Sequence, residues 1–312
     1  MSESVGKYLD RDKTIQVLRL LSEGNSIRST SRLTGIHKTT IMRTVVRFGN
    51  QCREYLDATL INLQLRHVQC DEIWTFVGKK QGHLRGREIN SDRIGDIYLF
   101  TALDTDTKLL ATFAIGKRSA RTTALFIADL EKRLYRTPDT IGDNRPQIST
   151  DGWGPYGPTI AASFRNTVRH GVLIKQYVNP DVGRYAPPAL VKTDRFNVNG
   201  ISDLATICTS HVERMNGSIR QFVKRFTRLT YAFSKKLENL AAASALHIAV
   251  YNFCRVHSTL KCTPAMAAGI IDTLWGMDDL YNAVTTHARE AAAKAKRDRR
   301  IQRLIDRLQR NE

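Results

Sequence analysis

The apolar residues of this chain recur at helical spacing up to about residue 66 and at strand spacing from residue 67 onward. Residues 67–77 read as a strand with Asp71 inside it. Residues 96–104, carrying Ile97, Tyr98, Leu99 and Phe100, read as a second strand, and 109–115 as a third. Turn chemistry joins them, from Gly78-Lys79-Lys80 to Gly95 and again at Asp104-Thr105-Asp106. A helix is then expected over 121–134, with Leu125, Ala128 and Leu134 on one side. A short strand over 147–150 runs into Asp151-Gly152, a helix follows over 156–164, and a fifth strand over 172–178. Residues 179–206, with Pro180, Gly183, Pro187, Pro188 and Gly200, read as an irregular insertion. A helix begins near Glu213, and a long one spans 235–255 with Leu237, Leu240, Ala241, Ala245 and Ile248 apolar. The order β-β-β-α-β-α-β-α calls for an α/β fold, a mixed sheet with helices on its faces.

Ahead of the sheet, residues 12–50 read as three short helices. Ile15, Leu18 and Leu21 form the first apolar face, closed by Glu23-Gly24-Asn25. Ser26 is placed to cap a second helix through Leu33, and Gly35 supplies the turn. A third begins at His37-Lys38-Thr39-Thr40-Ile41 and turns Ile41, Val45 and Phe48 inward. Two helices joined by a short turn, the second opening on polar residues, make a helix-turn-helix pattern. Its base-edge candidates are His37, Lys38, Thr39, Thr40 and Arg43; a three-helix cap that merely packs is the plainer reading.

Charge points to the partner. The net charge is +18 with an isoelectric point near 9.9, which calls for a polyanion and most simply for nucleic acid. No apolar run is long enough to span a bilayer, so no membrane partner is expected. The polar opening from Met1 to Asp12 lacks the apolar core of a secretory signal. Cysteines 52, 70, 208, 254 and 262 are scattered and never spaced C-x-x-C, which fits reduced thiols in a cytoplasm and no zinc ribbon. Residues 288–310 hold nine Lys/Arg against three acids. Ile301, Leu304, Ile305 and Leu308 give that tail an amphipathic helical face, suited to tracking phosphates, packing on a second subunit or standing solvated.

The stretch from His211 to Arg228 combines these themes. At helical spacing Met215, Ile219, Phe222 and Phe226 form an apolar stripe, while Glu213, Asn216, Arg220 and Lys224 fall on another side. Seven Lys/Arg lie between residues 213 and 236, with Glu213 the only acid. A lone carboxylate there is a solvated first-turn acid favoured by the helix dipole, or a metal ligand whose neighbours hold a polyanion. Asp71 in the first strand and Asp151 after the fourth offer it company, because those two strands can lie side by side. Three converging acids repel unless cations sit between them. Their hard oxygens suit Mg²⁺, and two such ions stabilise the attacking and leaving oxygens of a phosphoryl displacement. Singly, each acid has an ordinary structural reading, and Glu72, Asp104 and Asp203 are rivals. Trp74 and Trp153 flank the acids, as core packing or as platforms for a flipped or frayed base.

Asp71-Glu72-Ile73-Trp74-Thr75-Phe76-Val77-Gly78-Lys79-Lys80 resembles the first-aspartate block of the insertion-sequence-one family of DDE transposases. Thr150-Asp151-Gly152-Trp153 with Tyr156 is similar to the second block. Glu213-Arg214-Met215-Asn216 with Arg220, Arg225 to Arg228 and Phe233-Ser234-Lys235-Lys236 is similar to the third. Tyr251-Asn252, His257-Ser258 and Thr263-Pro264-Ala265 extend the likeness, which covers about 67–270. The resemblance implies a ribonuclease H-like catalytic domain over 67–256, interrupted by the insertion at about 179–206. A helix-turn-helix domain (1–50) and a helical linker (51–66) precede it, and a basic helical tail (257–312) follows. It makes Asp71, Asp151 and Glu213 the metal-binding triad, with two Mg²⁺ expected and Mn²⁺ as a substitute. The activity implied is cleavage of transposon ends and joining of the free 3′-hydroxyls to target DNA. Arg214, Asn216, Arg220, Lys224 and Arg228 would hold phosphates near the cut. Pairing two ends makes a homodimer or higher oligomer the expectation, acting on double-stranded DNA in a bacterial cytoplasm. The family's founding member carries a zinc-binding element before its helix-turn-helix, for which this chain has no cysteine pattern. A host-adopted DNA-binding protein and a nuclease without strand transfer are the competing readings.

Overall fold

The computed structural model describes residues 9–135, 145–178, 188–201 and 203–309. Three helices open it: α1 (Arg11–Ser22), α2 (Ile27–Thr34) and α3 (Lys38–Thr59). Ser26 caps α2 by accepting from the Ser29 amide at 3.0 Å, and Gly35 closes it at φ 70°, a left-handed conformation that costs glycine little. His37 caps α3. Instead of stopping near residue 50, α3 runs on unbroken to Thr59, because Phe48, Cys52 and Leu56 continue its buried stripe. The segment expected as a separate linker is thus, through residue 59, the second half of one 22-residue helix.

The sheet strands are β1 (His67–Val77), β2 (Gly95–Asp104), β3 (Leu110–Gly116), β4 (Gln147–Thr150), β5 (Arg169–Val178) and β6 (Ala189–Asn199). Their order is β3-β2-β1-β4-β5-β6. The pairs β1/β4 and β4/β5 are parallel, and the other three are antiparallel. A mixed sheet of this kind with flanking helices is consistent with the ribonuclease H-like arrangement. β6 corrects the irregular insertion. Residues 189–199 pair with β5 as an edge strand whose Leu190, Val191, Phe196 and Val198 are all exposed. Neither face is buried, so the strand lacks the clean inside-outside alternation that marks a half-buried one. Residues 179–187 and 202 of that expected insertion lie outside the described residues.

The remaining helices are α4 (Ala120–Arg133), α5 (Tyr156–Phe164), α6 (Ser210–Phe222), α7 (Leu237–Phe253), α8 (Pro264–Ala267) and α9 (Met277–Leu308). On one sheet face α4 packs Phe126 on Phe100, ring centres 5.7 Å apart. On the other face α7 clasps the start of β3: the buried Asn252 amide accepts from Leu110 N and donates to Leu110 O, both at 3.0 Å. The Tyr251 hydroxyl donates to Lys108 O at 2.9 Å. The Glu213 helix ends earlier than its apolar stripe suggests. Val223 is extended (φ −108°, ψ 95°), and residues 224–226 form a separate 3-10 turn. Phe226 is still buried there, but Lys224 has left the face that Glu213 occupies.

One core runs from α1 and α3 through the sheet to α7 and the first half of α9. α9 begins packed, with Leu280 and Val284 buried and Tyr281 stacked on Phe48 at 5.6 Å. Farther along, Ile301 and Ile305 are exposed; the side chains of Leu304 and Leu308 lie outside the described residues. Helices α3 and α7 cross so closely at Gly49 that a Cβ built there would stand 2.1 Å from the Ala242 carbonyl oxygen. Alanine is the better helix former, yet at this crossing backbone would have to part to admit it. Gly49→Ala is therefore expected to lower unfolding free energy by about 1–3 kcal/mol or more. Asn50→Ala, on the exposed side of the same turn, is expected to change it by less than about 0.5 kcal/mol. Urea denaturation of the two variants side by side measures the difference.

Candidate metal centre

β1 and β4 run parallel with Gln69 opposite Ser149. β4 stops at Thr150, so the chain leaves the sheet at Asp151, two residues on and level with Asp71. The two aspartates approach because their strands are neighbours, as their order suggested. Carboxylate oxygens of Asp71, Glu72 and Asp151 all lie within 4.8 Å of one another.

Each acid is held. Asp71 accepts from the Glu72 amide and from the Asn216 side chain, both at 2.8 Å. Asp151 accepts from the Trp153 amide at 2.9 Å and from Arg118 at 3.1 Å. The same Arg118 nitrogen lies 3.2 Å from Glu72, and its guanidinium stacks on Trp153 at 4.4 Å. The Glu72 side chain is only 2% exposed, and its Oε1 has no hydrogen-bond partner. Glu213 stands apart from this cluster. Its carboxylate is bound by Lys175 of β5, one contact being 2.6 Å, and accepts from Thr209 at 2.6 Å. Even so it is near enough to Asp71 to act on that group's ionisation.

Burial, with repulsion from Asp151 and Glu213, raises the Asp71 carboxyl to about 6, against the bonds from Glu72 N and Asn216. Burial and repulsion from Asp151 raise Glu72 to about 7. Asp71, Glu72, Asp151 and Glu213 thus outnumber the cations that act on them, Arg118, Lys175 and, at longer range, Arg220, an excess of acid held out of water. The unpartnered Glu72 oxygen and the closeness of three carboxylates fit a hard divalent cation such as Mg²⁺.

The other expected residues separate into groups. Asn216 is buried, 3% exposed, and its amide serves Asp71 while its oxygen accepts from Thr101 at 3.4 Å; a phosphate cannot reach it there. Arg220 is half-buried with Nε unpartnered, within electrostatic range of Asp71 and Arg228. Arg214, Lys224 and Arg228 are exposed. At the start of α3, His37, Lys38, Thr39 and Arg43 are exposed and Thr40 is half-buried. Of the rival acids, Asp104 is buried and accepts from Thr107 N at 2.8 Å, and Asp203 accepts from Ala205 N at 2.9 Å. Both bonds close turns. Trp153 donates to Thr123 at 3.1 Å, and Trp74 lies beside Phe76 with Lys80 5.9 Å above its ring. Arg118 and Lys175 were not foreseen. Neither has an acid near it in sequence, and only the folded sheet brings it to one.

No protein-family model and no curated protein matches this sequence. Among solved structures, one that matches is described as the crystal structure of the Mos1 mariner paired end complex with Mn, at 14% identity and a TM-score of 0.20. The match covers 52% of this chain and 60% of that one. At that TM-score the likeness carries no weight for fold or chemistry, which rest on the residues above.

The raised carboxyls have a thermodynamic consequence. Native Asp71 and Glu72 keep protons that the unfolded chain has released, so their contribution to stability falls as pH rises from about 4 to about 7, while the buried His170 and His247, lowered to about 4 and about 3, contribute the opposite slope. Without metal, the melting temperature of Asp71→Asn relative to the wild type is expected to climb across that window. Lacking the Asp71 contribution, that variant is expected to melt a few degrees higher than the wild type at pH 8. Mg²⁺ is expected to raise the wild-type melting temperature at pH 8 and far less at pH 5. Calorimetry at the two pH values, with EDTA and with Mg²⁺, reads all three.

Proposed function

We propose that the chain is a DDE-type DNA transposase of the insertion-sequence-one kind. In this reading it binds the ends of its element and carries out metal-dependent strand cleavage and strand transfer. The observation that carries this reading is the convergence of Asp71 and Asp151 from adjacent parallel strands, with Glu213 brought toward Asp71 by a helix on the sheet.

The residues present fit two Mg²⁺ or Mn²⁺ ions, held by Asp71 and Asp151 with Glu213 or Glu72 completing the set. Bound there, such ions would lower the pKa of a water or 3′-hydroxyl and offset the charge that develops on the phosphate. The chain's own groups prepare the place. Asn216 fixes the rotamer of Asp71, and the Asx turn to Trp153 N fixes Asp151. Arg118 and Lys175 limit acid–acid repulsion until the site is loaded. Arg214, Lys224 and Arg228 are exposed for the phosphates flanking the cut, a positioning role blind to sequence. α2 and α3 serve as the helix-turn-helix, with His37, Lys38, Thr39 and Arg43 turned toward base edges. A homodimer or higher oligomer would pair two ends.

The test is cleavage and joining of duplexes carrying the element's own ends, with Mg²⁺, by wild type and by Asp71→Asn, Asp151→Asn, Glu213→Gln and Glu72→Gln. The first three are expected to lose joining by on the order of 100-fold or more, a few kcal/mol of transition-state stabilisation. Gel-shift binding of the ends is expected to persist. If Glu213→Gln joins normally and Glu72→Gln does not, Glu72 is the third ligand. If no protein cuts any end with Mg²⁺ or Mn²⁺, the chain is a DNA-binding protein without transposition activity.

A further inference from the structure

A cleft of about 610 Å³ lies where α1, α2 and the start of α3 meet the end of α6, α7 and the loop after the 3-10 turn. That volume falls in the roughly 300–1,000 Å³ range of pockets that enclose small ligands. Three aromatic residues stand in its lining, Phe222, Tyr231 and Phe233. Tyr231 is fully exposed, on a loop whose Leu229 adopts φ 55° and is also exposed. A non-glycine residue in that conformation costs roughly 1–2 kcal/mol, so this loop presents its apolar side chains to water at some expense.

Polar atoms in the same wall have nothing to bond. Ser22 and His247 are 6% and 5% exposed, and Ser22 Oγ and His247 Nε2 are both buried without a hydrogen-bond partner. Burial holds His247 neutral, with its pKa near 3, and its ring stacks against Phe222 at 6.3 Å. Unmet buried polar groups each cost about 1–3 kcal/mol, and a planar ligand with donors and acceptors on its edge would meet them once it parts the side chains that now cover both atoms. Arg28, Lys38, Lys224 and Lys235 are exposed at the cleft, and among the described residues no acid lines it. Cations outside, aromatic rings within and polar atoms at depth match a nucleotide.

We propose that this cleft is a binding site for an unpaired nucleotide of a DNA strand, its base enclosed beside Tyr231 and Phe233 and its phosphates held by Lys38, Lys224 and Lys235. The assignment rests on reading the chain as an enzyme of DNA ends, and it adds where a frayed end goes. Phe222 follows Glu213 by nine residues on α6, roughly 13 Å along the helix. At about 3.4 Å per nucleotide, a strand bound at the carboxylates reaches the cleft about four nucleotides away.

The full chain in EDTA is titrated with two labelled duplexes, one blunt and one ending in four unpaired nucleotides, and binding is followed by fluorescence anisotropy. Wild type is expected to bind the frayed duplex on the order of 10-fold more tightly. Tyr231→Ala, which removes a base stack, and Asn239→Leu, which removes the amide of another residue lining the cleft, are expected to weaken that binding by at least about 5-fold and to leave the blunt duplex within about 2-fold. Tyr231 is fully exposed, so its variant tests the site without risk to the fold. A 5-iodouracil in the overhang is expected to photo-crosslink within residues 222–247. Equal binding of the two duplexes, a preference untouched by both variants, or crosslinks elsewhere would overturn the site. Sedimentation that changes with Tyr231→Ala while the two duplexes bind equally would give the cleft to a second copy of the chain. Because no step needs metal, inactive carboxylates leave this measurement standing, and a failed cleft leaves the cleavage assay standing.

Discussion

Carboxylates crowded together beside a buried strand are costly, and much of this fold is arranged around that cost. β1 carries Asp71 and Glu72 side by side, with carboxylate oxygens within 4.8 Å of each other. Parallel β4 then delivers Asp151 to the same end. The structure answers from every direction: Asn216 from α6, Arg118 from the turn into α4, Lys175 from β5. Glu72 Oε1 stays buried without a hydrogen bond of good geometry, although the buried Tyr156 hydroxyl close by eases its charge. Structural networks usually satisfy such an atom. Leaving it open stores a preference for a cation that arrives later.

The secondary elements also show how positive charge is divided between the interior and the surface. Arg133 is almost wholly buried and donates to the Leu56 and Leu60 carbonyls at 3.1 and 3.2 Å, closing the end of α3. Arg225 donates to Ser234 at 2.8 Å, and its own carbonyl accepts from Thr75 of β1 at 2.8 Å. These cations are part of the interior. Arg214, Lys224, Arg228 and Lys235 surround the same elements and remain open to solvent. A net charge of +18 therefore overstates the surface available to a polyanion, and the exposed cations along α6 and the following loop matter more than the total.

What the sequence disclosed followed from local pattern. The strand periods placed β1, β2 and β3, the caps Ser26 and Gly35 placed α2, and the adjacency of β1 and β4 brought two of the acids together. Its failures came where tertiary context overrides pattern. The stripe Met215, Ile219, Phe222, Phe226 suits a continuous helix, but all four positions can also be covered across a break at Val223, so periodicity could not see the break. β6 hid because an edge strand exposed on both faces has no apolar side to display. Asn216 looked like a phosphate contact because amphipathic spacing groups it with Arg220; burial against β1 gives it to Asp71 instead. Arg118 and Lys175 carry no local signature, since the distance from each to its acid is set by the sheet.

The close crossing at Gly49 makes α3 a beam. Twenty-two residues of uninterrupted helix span about 33 Å, with polar side chains at one end and the core at the other. A flexible tether would let a bound site wander relative to the carboxylates. On the proposed reading, a helix seated backbone-to-backbone on α7 would hold the interval between a base met at its start and the bond to be cut at one value. The protein would then measure its DNA as a calliper does. Inserting a single base pair between those two points would turn the scissile phosphate away around the duplex axis, and no hinge within α3 is present to follow it.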